Sequence, residues 1–264
     1  MIIISKYYCN INYLYIKIII KYMKYLKLFD TESNYLAYRD GSDYLKPNVS
    51  LCDDNGKVYY NYSPPPIVYE AVDLGLPSGT KWASQNVGAR KPSDYGLFFQ
   101  WGDTVGYTAD QVGTGEGQKK FAWTDYKWSI DGSDSNFSKY TTTGSSLELE
   151  DDAARFNMGG DWHIPTPDQI NELIDNTTTA WTVSDDGVNG MTFTSSNGKS
   201  IFIPAAGNAW DGSVQDSGGC GYVWSSMLDT VYVVGGQSFG FDPGSVFLDY
   251  YYRYDGLSVR GVVG

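Results

Sequence analysis

Three consecutive prolines, in Ser63-Pro64-Pro65-Pro66, constrain this chain more than any other single feature. Each proline lacks a backbone N–H and holds φ near −65°, so the run suits neither a helix interior nor a central strand. It reads as a stiff extended spacer. A small β-rich N-terminal segment over residues 23–66 and one large domain over 67–264 are the expected organisation.

Within the N-terminal segment, Leu26, Leu28 and Phe29 start a strand. Asn48-Val49-Ser50-Leu51-Cys52 and Lys57-Val58-Tyr59-Tyr60-Asn61-Tyr62 flank Asp53-Asp54-Asn55-Gly56. Asn-Gly suits a tight turn, so a hairpin is predicted there. Residues 1–22 stand apart, because Ile, Lys, Tyr and Asn fill 18 of the 22 positions. All four have codons made mostly of A and T. The stretch reads as translated upstream DNA with Met23 as the true start. A leader or membrane anchor and an ordinary helix are the alternatives. Lys17 and Lys21 interrupt the apolar run, which falls short of the about 18–20 residues a span needs. No small-residue cleavage site follows.

After Val68 the chain is rich in Gly and Trp and poor in helical pattern. One helix is clear. Thr166 is a good N-cap, Pro167 fits the first helical position, and Gln169 closes a capping box. Ile170, Leu173 and Ile174 then give one apolar face. Residues 151–158 form a shorter helix, and 92–101 a third that Gly96 weakens. Short strands and long loops fill the rest, an α+β plan.

Composition excludes several functions. The net charge is −12, and beyond residue 29 there are 14 basic residues against 31 acidic ones. Nucleic acid is not a partner for such a chain, since phosphate binding needs clustered Lys and Arg. Three cysteines (Cys9, Cys52, Cys220) and one histidine (His163) make neither a disulfide framework nor a zinc site. Glu148, Glu150, Asp151 and Asp152 read as a solvated helix start. Asp131-Gly132-Ser133-Asp134 and Asp185-Asp186-Gly187 read as ordinary turns rather than calcium loops. No cofactor and no metal are expected.

Separated motifs then line up in order. Val72-Asp73-Leu74-Gly75-Leu76-Pro77-Ser78-Gly79-Thr80-Lys81-Trp82-Ala83 precedes Asn86-Val87-Gly88-Ala89, Asp94-Tyr95-Gly96 and Gln100-Trp101-Gly102-Asp103. Trp162-His163-Ile164-Pro165-Thr166, Val223-Trp224-Ser225-Ser226 and Leu257-Ser258-Val259-Arg260 follow. This order resembles the major paralogous domain family of gut and rumen bacteria and their phages, over roughly residues 70–264. That family is similar to the formylglycine-generating-enzyme branch of the C-type lectin fold. The C-terminal part further resembles the variable proteins of diversity-generating retroelements, similar in role to phage tropism determinants. The resemblance implies a C-type lectin fold with a variable region over about 224–260, in which Trp224, Ser225, Ser226 and Arg260 are scaffold. It implies a host-cell surface protein or glycan as partner, and a phage tail or bacterial surface as location. A homotrimer, or assembly with a tail or surface structure, follows by analogy.

The window 229–255 has a composition that fits such a variable region. Tyr, Gly, Asp, Val, Phe and Ser supply 22 of its 27 residues. Replacing only the adenines of an AAC codon reaches every residue type in the window except Gln, and Lys, Glu, Met and Trp, which it cannot reach, are absent. No Asn remains, which departs from the pattern. Spacing gives a separate argument. Gln237-Ser238-Phe239-Gly240-Phe241-Asp242, a Pro243-Gly244 turn and Ser245-Val246-Phe247-Leu248-Asp249-Tyr250 alternate as a hairpin. Phe239, Phe241, Val246 and Leu248 are expected inside. Ser238, Gly240, Asp242, Ser245, Phe247, Asp249 and Tyr251 are expected outside. With Asp229, Val231, Tyr232, Val234, Gly235 and Asp255, they form the expected contact set. Tyr250, Tyr251, Tyr252 and Tyr254 are its anchors, as tyrosines are in antibody loops.

A non-diversified adhesin on the same fold is the alternative reading. An oxidase of the formylglycine-generating type is the remote one. The cysteine pair that such oxidases need is missing, because only Cys220 lies in the C-terminal region. The chain is therefore expected to be non-enzymatic.

Overall fold

The computed structural model describes residues 2–5, 26–29, 49–52, 58–62 and 66–264. The chain divides into two units, Met1–Pro66 and Ile67–Gly264. In the first, β1 (Ile2–Ser5) pairs in parallel with β2 (Leu26–Phe29). The hairpin pairing is present between β3 (Val49–Cys52) and β4 (Val58–Tyr62), with a register shift at Leu51/Cys52. Its predicted turn, the spacer up to Pro65 and most of residues 1–22 lie outside the described residues.

The second unit is α+β, with far more strand than helix. β5 (Ala71–Val72), β6 (Lys81–Ala83) and β7 (Phe98–Phe99) come first, then α1 (Ala153–Met158) and α2 (Pro167–Asp175). β8 (Thr177–Val183), β9 (Asn189–Ser195) and β10 (Ser200–Pro204) form an antiparallel sheet of order β10-β9-β8. A small hairpin of β11 (Asn208–Trp210) and β12 (Ser213–Gln215) follows. The chain ends with β13 (Gly221–Leu228), β14 (Gly235–Asp242), β15 (Ser245–Tyr252), β16 (Leu257–Ser258) and β17 (Val262–Val263). The central sheet has the order β15-β14-β13-β16-β7, and β17-β6-β5 makes a third sheet. Among the described residues, no helix is long and apolar enough to cross a membrane.

Helix α2 starts where its sequence says it should. The Gln169 N–H donates to Thr166 Oγ1 at 3.3 Å, and the Thr166 N–H donates to Gln169 Oε1 at 3.0 Å. Removing such a cap costs about 1 kcal/mol. Ile170 and Leu173 are buried beneath the helix. Residues 92–101 form a turn and then β7, not a helix. Pro92 opens the segment, Asp94 Oδ2 takes the Arg90 N–H at 3.0 Å, and Gly96 has φ +77°. That left-handed glycine and the side-chain-bonded turn prevent helix propagation.

The core lies on both faces of the central sheet, and strand alternation divides it. Val223, Phe239 and Phe241 join Trp82, Ile170, Leu173, Phe193 and Ile203 on one face. Tyr222 and Trp224, which flank Val223 in sequence, join Phe99, Trp101, Tyr140, Ile164 and Leu257 on the other. The second layer comes largely from residues 97–164, where regular elements are short. Asp151 and Asp152 belong to this interior rather than to a solvated helix start. Lys139 Nζ lies 2.6 Å from Asp151 Oδ2, and the Tyr140 hydroxyl donates to the same oxygen at 2.6 Å. Burial alone raises the Asp151 pKa, but hydrogen bonds from Lys139, Tyr140 and Lys127 carry it below the usual range. Asp152 caps α1 by accepting the Arg155 N–H at 3.0 Å, and also takes the Ile164 N–H at 2.8 Å.

Candidate ligand-binding surface

The last hairpin and the loop before it carry the candidate site. Asp242 fixes the turn, its Oδ1 accepting the Gly244 and Ser245 N–H groups at 2.7 and 2.9 Å. The register pairs Phe239 with Leu248 and Phe241 with Val246, and it pairs Gly240 with Phe247 and Ser238 with Asp249. The residues grouped by alternation do share faces. Their coverage differs from the expectation, because β14 is an inner strand with a core layer on each side.

Of the expected contacts, Val231, Tyr232, Ser245, Asp249, Tyr250 and Tyr252 are exposed. Asp229, Val234, Asp242, Phe247 and Tyr251 are half-buried, with Phe247 and Tyr251 packed against the second core layer. Gly235, Ser238, Gly240, Tyr254 and Asp255 are buried, which corrects their placement on an outward surface. A Cβ on Gly240 would lie 2.5 Å from the Phe247 ring, and one on Gly235 would lie 2.5 Å from the Tyr250 ring. Ser238 Oγ donates to the Asp249 carbonyl at 3.3 Å. The Tyr254 hydroxyl accepts Trp210 Nε1–H at 2.9 Å. Asp255 is 4% exposed, its Oδ1 has no hydrogen-bond partner, and burial pushes its pKa up to about 7. Leu248 is corrected the other way. It is 50% exposed, because the layer that covers Phe239 does not reach it.

The exposed tyrosines are held in place. Asp229 Oδ1 accepts the Val231 and Tyr232 N–H groups at 2.8 and 2.7 Å, and the Asp229 N–H donates to the Gly235 carbonyl at 2.9 Å. The Tyr232 and Tyr250 rings lie 5.3 Å apart. Further along, Tyr252 stacks on Tyr254 at 5.4 Å, and Trp123 packs against Tyr254 at 4.7 Å. Beside Tyr250, a groove of about 250 Å³ runs between the start of α2 and the hairpin. Ile170, Ser225, Asp229, Gln237, Leu248 and Tyr250 line it, together with Pro167, Ser238 and Asp249.

Beneath this surface lies a residue that sequence reasoning passed over. Arg253 is fully buried. Its Nε–H donates to the Tyr126 hydroxyl at 2.8 Å, Nη1 to the Tyr140 and Val233 carbonyls at 3.0 and 3.2 Å, and Nη2 to the Lys139 carbonyl at 3.1 Å. The Phe137 ring centroid is 4.3 Å from the guanidinium carbon. Carbonyl dipoles and ring faces thus offset the charge. The arginine ties the Val233 loop to the 126–140 segment. Its one sequence signal was being the only Lys or Arg in 229–255. Arg260 plays a similar part elsewhere, donating to Asn86 Oδ1, the Ala83 carbonyl and the Phe202 carbonyl at 2.8–2.9 Å. Trp224 Nε1–H donates to the Phe99 carbonyl at 2.7 Å.

The other chemistry-bearing residues are engaged locally. His163 Nδ1 lies 3.1 Å from the Asp161 carbonyl oxygen, and its backbone pairs with Val262. Cys220 is a half-buried free thiol. Oxygens of Glu148, Glu150 and Asp151 lie within 4.8 Å of one another, and the Lys139 ammonium contacts all three residues. Asp131 makes an ordinary turn, its Oδ1 accepting the Ser133 N–H at 3.0 Å. The geometry offers rings, carboxylates and amides to a ligand from a fixed frame. Comparison of the chain with protein-family models, with curated proteins and with solved structures found no match in any of the three.

Proposed function

We propose that the chain is a non-enzymatic ligand-binding protein on a C-type-lectin-like scaffold, and that its last hairpin is the contact surface. The observation that carries the reading is the pairing of exposed Tyr232, Leu248, Tyr250 and Tyr252 with a buried, hydrogen-bonded frame beneath them. Large amphipathic rings on a rigid support give contact area at low entropic cost. The partner is a protein or glycan on a host cell, and the chain is displayed on a phage tail or a bacterial surface. The order of motifs from Val72 to Arg260 supports the scaffold. The reachable-codon pattern over 229–255 supports diversification by a retroelement.

The test is binding of the labelled chain to a panel of gut bacteria, compared with a Tyr232→Ala/Tyr250→Ala double variant. Binding is expected to fall about 100-fold or more, since two hot-spot tyrosines are each worth 2 kcal/mol or so, with the melting temperature little changed. Undiminished binding by the variant would remove the hairpin from the contact surface. Diversification has its own check in the gene neighbourhood. A near-identical template repeat, differing at adenines and lying beside a reverse transcriptase, is expected there, and its absence refutes that part.

A further inference from the structure

We infer that the groove beside α2 takes one basic side chain, lysine or arginine, from a protein partner. The inference rests on the ligand-binding reading above and narrows it to one chemistry. At about 250 Å³, the groove is smaller than the about 300–1,000 Å³ that encloses a whole small-molecule ligand. It suits a single long side chain.

The lining sorts by chemistry. Leu248 and the half-buried Pro167, backed by the buried Ile170, form an apolar wall for an aliphatic stem. Asp229 and Asp249 also line the groove, and among the described residues neither is in an ion pair. The loop uses Asp229 Oδ1, and no hydrogen bond among the described residues reaches its Oδ2. Tyr250 and Tyr232 stand beside the carboxylates with 39% and 52% of their surfaces exposed. Asp249 Oδ1 accepts the Tyr250 N–H at 2.8 Å, so each carboxylate is held by backbone and carries a charge with no ion-pair partner among the described residues. Ring faces next to such charges attract a cation twice over. The local field agrees. The Tyr250 phenol has a raised pKa, through desolvation first and then through Tyr232, Tyr252, Asp229 and Asp249.

The start of α2 would by itself favour an anion. Here that end is already answered. Pro167 has no N–H, Thr166 takes the Gln169 N–H, and Asp168 adds negative charge in the first turn. At longer range, the net charge of −12 draws a basic partner and repels an acidic one. A glycan would also use the rings, but it leaves both carboxylates without a counter-charge.

The experiment titrates the full chain with four probes and follows the tyrosine ring resonances by NMR. Three are N-acetylated tripeptide amides, Gly-Arg-Gly, Gly-Gln-Gly and Gly-Glu-Gly, and the fourth is methyl glucoside. The arginine peptide is expected to shift Tyr232 and Tyr250 and to bind about tenfold tighter than the glutamine peptide. Asp229→Asn keeps Oδ1 for the loop and is expected to cut that preference about fivefold. Equal or stronger shifts from the glutamine peptide or the glucoside overturn the basic-side-chain assignment and leave the binding surface standing. Silence of both rings towards every probe, while cell binding still depends on Tyr232 and Tyr250, overturns the assignment alone. Cell binding that ignores those tyrosines overturns the parent reading.

Discussion

The two ends of β15 share one strand and one alternation, yet their residues meet different surroundings. Near the turn, Val246 packs with Phe241 against the core layer that includes Ile203 and Phe193. On the same face, Leu248 and Tyr250 look out over a groove, with 50% and 39% of their surfaces exposed. The difference lies in what is stacked on the sheet. Alternation decides which face a side chain takes, and only a second layer decides whether that face is wet. The apolar residues placed where the layer stops belong to the surface proposed for contact.

Four measurements test this contrast. The largest effect is expected below the surface. Arg253→Ala leaves three carbonyls and the Tyr126 hydroxyl without their donor, at a cost of about 5 kcal/mol in urea unfolding. A loss near 1 kcal/mol would mean that water replaces the guanidinium and that Arg253 does not hold the frame together. Phe239→Ala at the covered position is next, at about 4 kcal/mol.

Asp255 supplies the third. Its pKa rises from 3.8 to about 7 on folding, so the folded chain binds the proton more tightly. Its contribution is therefore most favourable below pH 4 and falls as pH rises towards 7, by about 2–4 kcal/mol. Asp255→Asn is expected to flatten that part of the stability curve. A wild-type curve that rises over the same interval speaks against a buried neutral carboxyl.

Leu248→Ala is expected to change least, under about 1 kcal/mol. A loss equal to that of Phe239→Ala would erase the contrast between the two ends of β15.

Much of the local structure was legible in the sequence, and much of the layering was not. The Thr166/Gln169 cap, the Pro243-Gly244 turn and the shared faces of β14 and β15 rest on short-range chemistry, which sequence displays directly. The second core layer rests on Trp101, Trp128 and Tyr140, from a segment without periodicity. Nothing local announces that they cover the face of Tyr222 and Trp224. That gap explains why Ser238, Gly240 and Tyr254 were expected outside, and why Arg253 passed as one more window residue. Asp151 and Asp152 failed for a related reason, since their partners Lys139 and Ile164 are distant in sequence.

The close approach of Phe247 and Tyr222 to Gly240, at 2.5 and 3.0 Å from any added Cβ, bears on how such a hairpin can change over generations. A mutation there displaces two rings before it presents anything new to a partner. Gly235 is milder, since only the half-open Tyr250 ring stands in the way. Random alteration along the hairpin would therefore yield an uneven repertoire. On the proposed function, substitutions at the exposed Asp249, Tyr250 and Tyr252 would survive as altered specificities, while those at Gly240 would mostly be lost as poorly folded chains. The usable variety of the surface is set by its exposed residues and by the spaces that its glycines keep empty.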